Sequence, residues 1–373
     1  MTFSFTKTCL YYSLILSFML FYQSANAQYN FAAADRWLEQ NTPQMGGRST
    51  LMLFKDGKII YSRSVNELTG KERFMGKIVA KRTGRDADQM LADFSEDHKI
   101  AIASCSKWLS AALVMTFVDE GKLKLTDTVG KFLPVLSAAR KGNITIVQCL
   151  SHMTGIKSGN LKESRSGFEK AASMDEAMQY IAAMPMESAP GESFHYSSVG
   201  LQIAAAVIEK ISGKGFRDLF EERIATPCEM KNSDFGTAPV PVAAGSGYST
   251  PADYLRFEEM ILNDGEYKGK RILKKESVAL MQHNYAAGKK VIYTPAEAGD
   301  WGYGFGEWTP NVTTTAERAA TVTSPGLFGS FPWVDNQNSY AAVLFTFYLK
   351  SEGRNERYMS LKNVIDSIIM NNR

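Results

Sequence analysis

Cysteine and histidine are scarce in this chain, four of each in 373 residues. Cys105, Cys149 and Cys228 lie far apart and Cys9 sits near the start, so no disulfide framework or metal knuckle can be read from them. His98, His152, His195 and His283 include no i, i+4 pair, which removes the helical zinc motif. An excess of one charge is also missing. Lys+Arg 42 against Asp+Glu 39 gives +3, which leaves no electrostatic basis for nucleic acid or an anionic membrane as main partner. No internal repeat and no Pro/Gly/Ser linker divides the chain. What remains is ordinary globular composition, 45% hydrophobic and 11% aromatic, long enough for a sizeable core.

The longest unbroken apolar run, Leu10 to Tyr22, follows Lys7 and precedes Ala25-Asn26-Ala27, the small-x-small form of a signal-peptidase site. Its 13 residues cannot cross a hydrocarbon layer of ~30 Å at about 1.5 Å per residue. Residues 1–27 therefore read as a cleaved export signal. The expected location is periplasmic or secreted, with no stable membrane insertion after cleavage. Residues 28–373 form the working domain.

Within that domain, a helix is expected over Ala33 to Gln40. Two strands follow, Ser49 to Lys55 and Lys58 to Ser64, joined by Asp56-Gly57, a strong hairpin signal. From Asn66 to Asp97 basic residues (Lys71, Arg73, Lys77, Lys81, Arg82, Arg85) precede acidic ones (Asp86, Asp88, Asp93, Glu96, Asp97). That segment reads as a solvated excursion, or as a lip over a nearby site. Ile100 to Glu120, ended by Gly121, reads as one buried helix, and Val199 to Ser212 before Gly213 as another. Thr250-Pro251-Ala252-Asp253 is a capping box opening a helix through Leu262. Strand-like runs at Gly329 to Val334 and Tyr340 to Tyr348 and a helix near Met359 to Met370 close the chain. Strands at both ends and helices between them predict an α+β fold, one antiparallel sheet built from both chain ends, with a mostly helical subdomain over roughly 122–250.

The search for chemistry narrows by elimination. No Gly-x-Ser-x-Gly elbow is present, no histidine is obviously placed for a Ser-His-Asp triad, and no phosphate-binding Gly-x-x-x-x-Gly-Lys loop exists. The glycines of Trp301-Gly302-Tyr303-Gly304-Phe305-Gly306 do not complete a dinucleotide fingerprint and read as strand packing. What stands out is Ser104-Cys105-Ser106-Lys107. On a helix, i and i+3 share a face, so the Ser104 hydroxyl and the Lys107 amine can meet. A lysine held neutral by burial can take the serine proton. The tetrapeptide is weak alone, since Ser4-Phe5-Thr6-Lys7 fits the same pattern. Its position at the start of a buried helix, where amides and dipole favour an oxyanion, is the stronger sign.

Five ordered stretches then resemble the serine β-lactamase and penicillin-binding-protein-like family, in its class C β-lactamase and esterase branch. They are Ile102-Ala103-Ser104-Cys105-Ser106-Lys107, Asp119-Glu120-Gly121-Lys122-Leu123, Leu150-Ser151-His152-Met153-Thr154-Gly155-Ile156, Pro190 through Ser198, and Gly247-Tyr248-Ser249-Thr250-Pro251-Ala252-Asp253. The resemblance spans about Ser49 to Asn371 and implies the same sheet-and-helix fold. It implies Ser104 as the acylated nucleophile, Lys107 as its proton partner, and Tyr196 as the phenol that shuttles protons. It implies structural roles for His152 and His195, while Cys105 reads as a small buried residue.

Two departures stand against the family pattern. Ser198 replaces a frequent Asn, and Ser324-Pro325-Gly326 replaces the Lys-Thr-Gly or His-x-Gly motif. Gly326 keeps the close backbone approach, and the Leu327 N–H can join that of Ser104 in an oxyanion hole. The side chain that would meet a substrate carboxylate is gone, and Arg318 or the basic half of 66–97 are its candidate replacements. Ser198, Ser324, Gly326 and Leu327 are thus the expected substrate contacts. The expectation is a serine hydrolase that needs no metal or cofactor and acts on a small ester, amide or peptide, esterase-like rather than an efficient β-lactamase. The alternatives are a non-catalytic binder of cell-wall peptides or glycans and a D-Ala-D-Ala carboxypeptidase.

Overall fold

In the computed structural model, Asp56 and Gly57 both take left-handed backbone angles (φ 51° and 76°). That is the geometry a tight two-residue hairpin requires. The hairpin joins β1 (Arg48–Lys55) to β2 (Lys58–Asn66). The structure describes residues 29–371 apart from 84–85, 160–166, 168–169 and 311–317. The predicted export signal lies outside the described residues.

Five more strands of the same seven-stranded sheet come from the last third of the chain: β3 (Gly302–Tyr303), β4 (Trp308–Thr309), β5 (Thr321–Thr323), β6 (Phe331–Asp335) and β7 (Tyr340–Thr346). Their order is β2-β1-β7-β6-β5-β4-β3, antiparallel throughout. The N-terminal hairpin thus docks on the final strand, which closes the sheet from both ends of the chain as the sequence predicts.

β1 and β7 are buried along their whole length. Alternate side chains of a strand point to opposite faces, so such a strand needs cover on both sides. Leu51, Leu53, Ala342 and Leu344 pack with α1 (Ala32–Asn41) and α5 (Arg354–Met370). Met52, Phe54, Ala341, Val343 and Phe345 face the larger core built on α2 (Ser106–Asp119), α3 (Val199–Ser212) and α4 (Pro251–Leu262). The result is three layers, with helices on both faces of the sheet. α3 has the predicted bounds and ends on Gly213 in the left-handed region (φ 72°).

Two expectations are corrected. Ile100 to Glu120 is not one helix. Ile100–Ala101 is a short strand paired with Tyr248–Ser249, Ala103–Cys105 is a 3₁₀ turn, and α2 starts at Ser106. Ala103 has φ 46°, which no right-handed helix tolerates. At α4 only half of the expected capping box forms. Thr250 Oγ1 accepts the Asp253 N–H at 3.1 Å, but the Asp253 carboxylate accepts instead from the Asn232 N–H (2.6 Å) and Ser233 Oγ (3.0 Å). The charged segment after Asn66 is a largely exposed excursion, as expected, and carries two helices, Gly70–Thr83 and Ala87–Leu91.

The larger core also holds two carboxyl groups, Glu258 of α4 and Glu307 beside β4, both fully buried. No donor meets their oxygens in good geometry, although the Trp333 N–H leans on Glu258. Burial pushes both well above the usual carboxylate range, with Arg318 opposing this weakly at Glu307. A raised folded-state value means that no stability is lost while both states stay protonated. As pH climbs past the unfolded value of about 4.3, the unfolded chain releases a proton that the native chain keeps. Stability then falls by about 1.4 kcal/mol per pH unit per group. Glu258→Gln is therefore expected to raise the Tm by a few degrees at pH 8 and by nothing at pH 4, read by thermal unfolding.

Candidate active site

The Ser104 turn is held from three sides. The Ser106 hydroxyl donates to Ala103 O (2.6 Å) and accepts the Gly247 N–H (2.9 Å). Ser110 of α2 donates to Ala243 O (2.6 Å). Tyr254 of α4 donates to Cys105 O (2.8 Å), a prop from the core side. Glycine is required where the sheet meets this turn. A Cβ on Gly326 would lie 2.5 Å from Ile102 O, and one on Gly306 2.3 Å from Lys107 O. Neither neighbour is free to move, because both are backbone.

Lys107 then projects from the first turn of α2 into the protein. Its Nζ lies 3.3 Å from Ser104 Oγ, donates to Ala244 O at 2.9 Å, and sits 4.6 Å over the Tyr196 ring. Lys107 is 1% exposed, and burial lowers its amine to about 7, with only a small opposing effect from Cys105. At neutral pH a large fraction of this lysine is therefore free base, with its lone pair beside the serine hydroxyl. Burial pushes the Tyr196 phenol above its ordinary value, against a hydrogen bond with Ser104 that pulls it down. The tyrosine is thus held protonated.

An aromatic group fixes that phenol. Tyr196 packs against His152 (4.7 Å), Trp308 (5.1 Å) and Tyr303 (5.9 Å). His152 Nδ1 accepts the Ser197 N–H at 3.4 Å, which leaves Nε2 to donate to the Tyr303 hydroxyl at 2.9 Å. Burial holds His152 well below the usual imidazole value, with Lys107 contributing. It is a neutral structural ring, as the sequence suggests. Cys105 is buried and burial raises its thiol, so it is a packed small residue. The other two described cysteines are likewise free and buried.

A narrow cavity of about 50 Å³ opens on this group, lined by Ser104, Tyr196, Pro295, Glu297, Ala298, Trp301, Trp308, Pro325, Gly326, Leu327 and Arg354. Gly326 and Leu327 reach it, and no described acceptor takes the Leu327 N–H. Ser198 and Ser324 do not line it. Ser324 donates to Gly306 O (2.8 Å) and lies 3.4 Å from Ser104 O, so its hydroxyl is engaged behind the nucleophile. Arg318 is tied to Asp264 (2.9 Å) and Gln282 (2.6 Å), away from the cavity. No described residue of 66–97 lines the cavity either, so its described part forms no lip over it. The cation at the wall is Arg354, which the sequence reading missed, together with Glu297 and Trp301. A serine–histidine–carboxylate chain also exists away from the cavity. His195 Nε2 lies 3.3 Å from Ser158 Oγ and Nδ1 2.5 Å from Glu187 Oε1. The Ser158 hydroxyl is spent on Gly159 O at 3.1 Å. Among the described residues there is no cluster that could hold a metal ion, and no helix long and apolar enough to cross a membrane.

An antiparallel sheet between helical layers, with a Ser-x-x-Lys turn buried beneath it and a tyrosine across the cleft, defines a serine hydrolase of the β-lactamase/transpeptidase-like class. The chain belongs to the Beta-lactamase family, whose profile matches residues 39–363. Among curated relatives, Protein Rv1367c of Mycobacterium tuberculosis is 26% identical over 64% of this chain and 72% of its own length. D-alanyl-D-alanine-carboxypeptidase/endopeptidase AmpH of Escherichia coli is 23% identical over 54% and 57%, and Esterase EstB of Burkholderia gladioli 26% over 44% and 45%. A Bacteroides dorei protein solved as a candidate β-lactamase superposes with a TM-score of 0.75 at 24% identity, covering 92% of this chain and 99% of that one.

The lowered Lys107 amine sets a pH dependence for the serine. Reaction of Ser104 with a fluorophosphonate probe is expected to rise about tenfold per pH unit below 7 and to level off above, as the ammonium loses its proton. Intact-mass kinetics of adduct formation across pH 5 to 9 check this. A flat profile would mean that another group accepts the proton.

Proposed function

We propose that this chain is an exported serine hydrolase that cleaves a small ester or amide through an acyl-Ser104 intermediate. The observation that carries the reading is the Ser104–Lys107 contact of 3.3 Å with an amine lowered to about 7. In the proposed cycle the Lys107 amine takes the hydroxyl proton as Ser104 Oγ attacks the carbonyl carbon. The N–H groups of Ser104 and Leu327 hold the oxyanion. The Tyr196 phenol delivers a proton to the leaving oxygen or nitrogen, and Lys107 resupplies it. Water then attacks the acyl-serine, giving its proton back through the same groups, and the acid departs.

Esterase-like specificity is favoured over β-lactam hydrolysis by the cavity wall. Trp301, Trp308, Leu327, Pro295 and Ala298 make it mainly apolar, and no lysine or histidine stands at the Ser324-Pro325-Gly326 turn. The names of the relatives include both an esterase and a carboxypeptidase, so peptide ends belong in the first substrate screen. The export signal read in residues 1–27 supports a periplasmic or secreted enzyme.

Ser104→Ala is expected to abolish ester turnover, a loss of at least about 10³-fold, while the Tm stays near wild type. Tyr196→Phe should lose about 10²- to 10⁴-fold, as removal of a proton donor does. Steady-state hydrolysis of short-chain esters beside thermal melts reads both. Full activity in Ser104→Ala would overturn the assignment, and saturable ligand binding without turnover in the wild type would make the chain a non-catalytic binder.

A further inference from the structure

Among the described residues only two charged ones line the cavity, Glu297 and Arg354. They form an ion pair at 3.2 Å, but they are not equally available to a ligand: Arg354 is 2% exposed and Glu297 19%. Arg354 Nη1 also donates to Leu327 O (3.0 Å), and Nη2 donates to Tyr348 O (3.2 Å) and Lys350 O (3.1 Å). The guanidinium stacks 4.7 Å over the Tyr348 ring, and its remaining Nε is buried. That Nε is unpartnered but has no exposed surface, so the cation has no accessible donor to turn toward a substrate carboxylate. On Glu297, Oε1 holds Arg354 while Oε2 has no partner among the described residues. The main chain of Glu297 is pinned as well, since Asn355 Nδ2 donates to its carbonyl at 2.5 Å. Its charge reaches the phenol, where it helps hold Tyr196 protonated.

We propose that Glu297 selects substrates whose acyl group carries a protonated amine a few bonds from the scissile carbonyl: small amino-acyl esters or amides. The inference rests on the hydrolase reading above. Ser104 and the oxyanion loop at Gly326 and Leu327 border the same narrow cavity as Glu297, so a group attached to the carbonyl carbon lies beside that carboxylate. We place the amine on the acyl group, which stays bound to Ser104 through the acyl intermediate while the leaving group departs. A substrate carboxylate there meets the outward Oε2 of Glu297, while the paired Arg354 spends its Nη donors on Glu297 and backbone carbonyls and keeps its Nε buried.

The test compares methyl β-alaninate, methyl butanoate and monomethyl succinate, which place an ammonium, a methyl and a carboxylate near the same point. Acid release is followed by pH-stat titration at pH 7 on the full chain, with Ser104→Ala as the background. The expected kcat/KM order is ammonium over neutral by on the order of fivefold, the worth of a partly exposed charge pair, with the carboxylate slowest. Glu297→Gln should bring the ammonium-to-neutral ratio near one. Raising ionic strength from about 0.02 to about 0.5 M should shrink the same ratio in the wild type, which decides the matter even if the variant fails to fold. Turnover of all three esters at equal rates, or a ratio indifferent to salt, overturns the charge selection and leaves the hydrolase standing. Absence of any Ser104-dependent turnover overturns both.

Discussion

The removal of one amine from water is the constraint on which the rest of this structure depends. A lysine in solvent is a cation at neutral pH and cannot accept a proton from a serine. Here burial lowers Lys107 to about 7, and no carboxylate sits beside it to undo the effect. Keeping it that way requires a dry wall on every side. α2 supplies one, the Ala243 to Gly247 stretch another, and the Tyr196 ring a third.

Burial acts on acid and base in opposite directions, keeping the acid protonated and freeing a large part of the base. It raises the Tyr196 phenol and lowers the Lys107 amine. The resting centre then carries at most the partial charge of Lys107, and in the proposed cycle an ammonium at Lys107 and an oxyanion at the backbone N–H groups arise together as Ser104 attacks. That assigns the base role in the proposed cycle to the lysine rather than to a tyrosinate. The same dry interior has costs elsewhere. Glu258 and Glu307 lie in the core without donors in good geometry, so they stay protonated and weaken the fold as pH rises.

The elements legible in the sequence were those with a local cause. Asp56-Gly57 announces its hairpin because both residues tolerate positive φ, and α3 announces itself by an all-round apolar run ending in Gly213. The start of α2 was misplaced because its cause is distant. Ile102 donates to Gly247 O, a partner 145 positions away, and Ala103 takes a positive φ that no propensity predicts. The Ser104, Lys107 and Tyr196 group was legible through short motifs. Its outer wall was not: Glu297, Trp301 and Arg354 come from a loop and from the start of α5, and meet because the turn Ala296–Ala298 packs against the start of α5. Arg318 looked equally plausible as a linear candidate, yet Asp264 and Gln282 hold it elsewhere.

That division between a local reactive turn and a distant wall bears on how one fold serves esters, amides and peptides. The turn is fixed by backbone contacts that allow no side chain, as at Gly326 and Gly306, so its geometry cannot drift without loss of the fold. The wall is built from side chains of a loop whose strand Lys290–Tyr293 is exposed along its length. Substitutions there change apolar area and charge near the carbonyl without touching the serine. Specificity and reactivity thus rest on separate supports. In this chain the wall presents a carboxylate outward and its guanidinium inward, the reverse of what a carboxylate-bearing substrate needs. A site that offers its negative charge to solvent and spends its positive charge on backbone carbonyls is arranged to admit cations beside a neutral nucleophile.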